Sequence, residues 1–247
     1  MSRSNPNENG AVNPSQRWFE WNGEHGVVRY YDREAKRNID VGTEFSFVLL
    51  DQLGGVKGWH EPSQSGIYSN EVKDTRQDVL IVRSFKGGTL AEGLYKDIKD
   101  RVNAIGGQFV SNCYIAYKDD AGKLALGCLR FKGAALGAWM EFTKAHRADL
   151  YTKGIKIAGY TEGKKGRIVY RVPVLKTVEL TEATNAAAIA LDKTLQEFLA
   201  AYLKKNKRDQ VEAVAAHVRD EDVDAYAGID ESEQGSYSGL VDSDIPF

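Results

Sequence analysis

Along residues 29–171, lysine and arginine are interleaved with aromatic side chains, and together these two types suit one chemistry. Cations track phosphates, and flat rings stack on bases at ~1–3 kcal/mol each without regard to base identity. Arg29 stands beside Tyr30 and Tyr31, and Lys57 two residues before Trp59, with Tyr68 beyond. Arg76 and Arg83 follow, the latter close to Phe85. Tyr114 and Lys118 share one face of a candidate strand, and Arg130, Phe131 and Lys132 end the next. The densest stretch holds Lys156, Tyr160, Lys164, Lys165, Arg167, Tyr170 and Arg171. Within it Arg167 and Arg171 have the spacing of two residues on one strand face.

Most aromatic residues of a β-rich chain fill its core instead. Phe45, Phe47 and Phe109 alternate with polar partners in apolar segments and are assigned there, and Trp18 and Trp21 are read as packing residues. Trp59 follows Gly54-Gly55 and Gly58 and is expected in a loop, which makes it the first choice for a stacking residue.

Period-two patterning with glycine punctuation predicts strands at 26–32, 43–51, 66–72, 78–85, 108–118, 123–131, 154–160 and 167–175. Turns are expected at Gly54-Gly55, Gly87-Gly88, 119–122 and 163–166. Helical spacing of Leu94, Ile98, Val102 and Ile105 predicts a helix over 89–105, and Leu136, Trp139 and Phe142 another over 134–150. A third, over 182–205 with Thr181 as its N-cap, carries the stripe Ala188, Leu191, Leu195, Phe198, Leu199 and Tyr202. The fold class is therefore mainly β with helices (α+β). An elaborated OB-fold-like barrel is expected, because many short strands with a helix midway suggest that shape. Four regions follow: a disordered N-terminal arm (1–16), the barrel (17–180), a C-terminal helical region packed on it (181–218), and a disordered acidic tail (219–247).

The chain carries a net charge of −2, but residues 219–247 hold nine acidic side chains and one basic one. That tail carries −8, which leaves +6 on residues 1–218. A basic body joined to an acidic tail is an arrangement found in polyanion binders. The tail ends Asp242-Ser243-Asp244-Ile245-Pro246-Phe247. Phe247 can enter an apolar pocket while its α-carboxylate pairs with a cation beside it. Ile245 adds apolar contact, Pro246 stiffens the approach, and Asp242 and Asp244 steer the tip toward basic partners.

This tip resembles that of bacterial single-stranded-DNA-binding proteins, and related acidic tails ending in phenylalanine occur in their phage counterparts. The resemblance covers the last half-dozen residues, with Ser243 interrupting the acidic run. It implies a phage-type protein that coats single-stranded DNA in replication, recombination and repair and recruits partner proteins through the tip. Self-association along the strand is a separate expectation, since the resemblance carries over no oligomeric state. A strand-annealing mediator, and a tail mimic occupying the pockets of host replication proteins, are the alternatives. The polar first fourteen residues and the absence of a long apolar run lead to the expectation of no membrane partner and a cytoplasmic location, that of the bacterial host if the protein is phage-encoded.

No enzymatic activity, cofactor or metal is expected. His25, His60, His146 and His217 have no metal-ligand spacing among themselves or with Cys113 and Cys128, which are read as small buried hydrophobes. Asp51 with Glu71-Val72-Lys73 matches the Asp…Glu-x-Lys pattern of metal-dependent nucleases, but a comparable triplet, Asp97-Ile98-Lys99, recurs nearby.

Overall fold

The computed structural model describes residues 12–204. In chain order the elements are β1 (Arg17–Asn22), β2 (Val27–Asp32), β3 (Arg37–Gly42), β4 (Glu44–His60), β5 (Ser65–Ser69), β6 (Leu80–Ser84), β7 (Gly88–Gly93), α1 (Tyr95–Ala104), β8 (Gly107–Lys118), β9 (Leu124–Lys132), α2 (Gly133–Ala145), β10 (Gly154–Lys165), β11 (Ile168–Val178) and α3 (Glu182–Lys204). All eleven strands belong to one sheet, ordered β3-β2-β1-β9-β8-β4-β5-β6-β7, with β10 on β4 and β11 on β10. The sheet is mixed, because β1 runs parallel to β9 while the other pairs are antiparallel.

The mainly β class with a C-terminal helix is as expected, but the barrel is not: the sheet is open. The reason lies in the 17-residue β4. One edge of β4 pairs with β8 along nearly its whole length. The other edge is divided, with β10 on residues 44–47 and β5 on residues 57–60. The sheet therefore branches, and β3, β7 and β11 remain as edges.

The same long strand corrects two local expectations. Gly54-Gly55 is strand interior, not a turn, and Trp59 lies near the end of β4, not in a loop. The glycines admit close neighbours there: a Cβ on Gly54 would meet the Phe109 ring, and one on Gly58 would fall on the Gly106 carbonyl oxygen. Residues 89–93 belong to β7, so the helix begins only at Tyr95. The strands β1 and β3 were not anticipated. The 119–122 turn is present, with the Asp119 carboxylate accepting from the Ala121 and Lys123 amides at 3.0 and 2.8 Å. The last hairpin is tighter than expected, because its ladder runs to the Lys165–Ile168 pair and leaves Gly166-Arg167 as the turn.

Among the described residues, three helices cover the two faces. α2 packs on the β1, β4, β8 and β9 side with Phe19, Phe45, Phe47, Ile115 and Phe131. Trp139 of α2 stacks on Phe131 at 5.0 Å and 13°. α1 covers Val56, Ile67, Leu80 and Val82. α3 lies on the opposite face, with Leu195, Phe198, Leu199 and Tyr202 on Leu53, Tyr114, Leu126 and Cys128, and Ala188 on Val48 and Ala116. Full burial of each such large apolar side chain contributes about 1.5–3 kcal/mol. Thr181 caps α3 as expected, its hydroxyl accepting from the Thr184 amide at 3.2 Å. Cys113 and Cys128 are both buried and free.

Candidate nucleic-acid interface

Residues paired across strands share a face of the sheet, so the register locates every side chain that lies beside α3. Leu53, under that helix, pairs with Asn112, Asn112 with Arg130, Arg130 with Glu20, and Glu20 with Arg29. Arg29 pairs in turn with Asp40 of β3, so this rung crosses six strands. Four residues beyond Leu53 on the same face, Lys57 pairs with Gln108 on one side and with Tyr68 on the other, and Tyr68 pairs with Arg83. Between the rungs, Lys132 stands opposite Val110. Trp59 follows Lys57 on that face, opposite Gly66. The Glu71 amide donates to Tyr202 Oη at 2.9 Å, which marks how far the described part of α3 reaches. Among the described residues, α1 and α2 pack on the other face and neither covers these rungs.

The electrostatics are cationic around two embedded carboxylates. Glu20 pairs with Arg29 at 2.8 Å and with Lys132 at 3.7 Å. Burial pushes the Glu20 carboxyl up, but Lys132, Arg29 and Arg130 outweigh it and hold it at about 2. Glu71 accepts from Asn112 Nδ2 and Tyr114 Oη, both at 2.6 Å. Its carboxyl stays above the ordinary range because burial exceeds the opposing pull of Tyr114, Arg130, Lys57 and Asn112. Arg130 Nε in turn donates to Asn112 Oδ1 at 3.2 Å, and its guanidinium lies over the Trp18 ring at 5.7 Å. The register also places Asp40 opposite Arg29 and Glu92 opposite Ile81 on this face. The five cations Lys57, Arg83, Arg130, Lys132 and Arg29 therefore exceed the four carboxylates Glu20, Glu71, Asp40 and Glu92 by one, which leaves the half-face weakly positive.

The structure sorts the sequence candidates into separate groups. Arg29, Lys57, Trp59, Tyr68 and Arg83 converge on the half-face, but with unequal access. Lys57, Trp59 and Arg83 are half-buried, Arg29 is nearly enclosed by its pairing with Glu20, and Tyr68 is buried and stacked on Phe85 at 4.7 Å. Tyr68 therefore supports the face and offers no open ring.

Tyr114 is buried beneath α3, and Phe131 is buried against α2. Neither presents a ring to a ligand. In β9 it is the flanking Arg130 and Lys132 that reach the half-face, because alternate residues point to opposite sides. Lys118 is exposed at the far end of β8, away from the rungs, and Arg76 is exposed in the connection between Val72 and Leu80. Lys156 pairs with Glu44 at 2.7 Å on β10.

Tyr160, Lys164, Lys165, Arg167, Tyr170 and Arg171 lie on or at the tip of the β10–β11 hairpin. Arg167 occupies the turn there, not the strand face expected with Arg171. Arg171 is held by the Glu24 carbonyl and by Glu162 at 3.2 Å. It anchors the hairpin instead of facing a groove. Asp242, Asp244, Ile245, Pro246 and Phe247 lie outside the described residues.

Sequence reasoning missed Glu20 and Asn112, and weighed Glu71 only within the nuclease-like pattern. The aromatic-rich run Trp18-Phe19-Glu20-Trp21 was a usable strand signal, but no local pattern shows that Glu71 meets Asn112 across 41 residues. Asp51 and Lys73 of the nuclease-like pattern do meet, at 3.1 Å, and Gln196 donates to the same carboxylate oxygen at 3.1 Å. Glu71 turns from them toward Asn112 and Tyr114. Among the described residues no helix is long and apolar enough to cross a membrane, and no group of three metal-ligating His, Cys, Asp or Glu side chains occurs. In comparisons with known protein families, curated proteins and solved structures, nothing matches the chain.

Proposed function

We propose that this chain binds single-stranded DNA with little sequence preference through the half-face beside α3, and recruits replication or repair proteins through its C-terminal Asp-Ser-Asp-Ile-Pro-Phe. The alignment of Lys57, Arg83, Arg130, Lys132 and Arg29 in two cross-strand rungs, with Trp59 at their end, supports this reading. Cations spaced across strands follow a phosphate backbone, and a half-buried indole gives a base a surface on which to stack. Stacking and phosphate contact carry no base code, hence the low sequence preference. Such a role places the protein in the bacterial cytoplasm, that of the host if a phage encodes it.

The acidic tail competes with DNA for the same cations by simple charge complementarity. Binding of a labelled oligo(dT) by the full chain, by a variant lacking the last ten residues, and by Lys57→Ala/Arg83→Ala/Arg130→Ala tests the proposal. The truncated protein binds as well or tighter, and the triple variant binds weakly. Full affinity in the triple variant removes the half-face from the account, and weaker binding on truncation removes the competing tail.

A further inference from the structure

Beyond residue 158, β10 leaves β4 and pairs with β11 alone, so residues 160–173 form a two-stranded ribbon. An isolated ribbon is marginally stable in water, and this one is held to the body through Arg171. The Arg171 amide donates to the Gly23 carbonyl at 2.7 Å, and its carbonyl accepts from Trp21 Nε1 at 2.8 Å. The Arg171 guanidinium reaches the Glu24 carbonyl and Glu162, and lies over the Tyr160 ring. Past the anchor, residues 163–170 form no ladder with any other strand among the described residues. Tyr170 stiffens this part, its ring lying where a Cβ on Gly163 would stand.

The tip carries exposed Lys164, Lys165 and Arg167. Lys164 pairs with Val169 and Lys165 with Ile168, so adjacent lysines project from opposite faces of the ribbon, with Arg167 at the turn between them. A single strand lying on one face would leave the cations of the other face unused. Two walls of phosphate would engage both. The major groove of duplex DNA has that form, and its width of about 12 Å admits a two-stranded ribbon.

We propose that the β10–β11 ribbon is a second nucleic-acid site that enters the major groove of duplex DNA. Resting on the single-strand reading of the half-face, this makes the whole protein a binder of junctions between duplex and single strand. Wild-type full-length chain and Lys164→Ala/Lys165→Ala/Arg167→Ala are titrated with labelled oligo(dT), a blunt duplex, and the same duplex extended by oligo(dT). Wild type binds the extended duplex at least roughly tenfold tighter than oligo(dT). The triple variant loses that advantage and its affinity for blunt duplex, keeps its affinity for oligo(dT), and lowers the log–log salt slope on the junction by about 2–3. Lys164→Arg/Lys165→Arg retains wild-type behaviour.

Absence of duplex binding by wild type, or an equal loss on oligo(dT) and junction in the triple variant, overturns the inference. Failure of wild type to bind oligo(dT), with duplex binding that the triple variant abolishes, refutes the half-face reading and leaves the ribbon site standing.

Discussion

Arg130 and Asn112 are joined by a hydrogen bond from the arginine Nε to the asparagine Oδ1 at 3.2 Å, and the same asparagine donates to Glu71 at 2.6 Å. One buried amide thus connects a cation of the half-face to a carboxylate beneath it. Replacing it with leucine leaves Glu71 short of a donor and Arg130 without its positioning contact. Asn112→Leu should cost about 1–3 kcal/mol in urea denaturation, the penalty for an unsatisfied buried polar group. Unchanged stability would mean that water replaces the amide at no cost.

The half-face cations should each report on phosphate contact. Lys57→Ala, Arg83→Ala and Arg130→Ala should each weaken oligo(dT) binding and lower the log–log salt slope by about 1. Lys118→Ala, beyond the rungs, should leave the slope unchanged. Equal effects at all four positions would indicate diffuse attraction instead of a defined path.

Two aromatic substitutions separate binding from packing. Trp59→Ala should weaken oligo(dT) binding by about 1–3 kcal/mol, the value of one stacked base. Phe131→Ala, beneath Trp139, should cost about 3–5 kcal/mol of stability. Folded Phe131→Ala protein should still bind DNA, because its ring does not reach the half-face.

Acid should weaken the fold through Glu20. Its carboxyl is held at about 2, below its ordinary 4.5, so its ion pairs stabilise the fold fully above roughly pH 4.5 and are lost as pH falls toward 2. The loss amounts to about 3 kcal/mol at most. Glu71, raised by burial, has the opposite sign: its protonation relieves a buried charge, so it offsets part of that loss. Denaturation of wild type and Glu20→Gln at neutral and acid pH should show a smaller acid loss in the variant. Parallel pH profiles would contradict this.

Gly58 lets β4 touch the start of β8, where the Trp59 amide donates to the Gly106 carbonyl at 3.3 Å. A methyl group there falls on that carbonyl oxygen. Gly58→Ala should destabilise by about 1–3 kcal/mol, as overpacking does, and shift the Trp59 emission. Wild-type stability would show that the two strands part freely.

Much of the sheet is legible because period-two alternation survives in β2, β4, β8, β9 and β10. The misread segments have physical causes. In residues 89–93 the alanine and leucine between Thr89 and Leu94 extend the helical stripe of α1 backward, and only pairing with β6 makes them a strand. Gly54-Gly55 looks like a turn until the Phe109 ring is seen occupying the space that a side chain on Gly54 would fill. The cationic-aromatic character was visible at Arg130, Phe131 and Lys132, but not the side of the sheet each faces. The stacking of Phe131 on Trp139 settles that. Arg171 read as a groove cation because its partners, Gly23 and Glu24, lie about 150 residues away in sequence.

The most direct test is the affinity of the full-length chain for labelled oligo(dT) as salt is raised. The half-face predicts tight binding at low salt and a linear fall of log K with log salt, with a slope of roughly −2 to −4 for its phosphate contacts. Absence of binding at low salt, or an affinity that salt does not change, would contradict it.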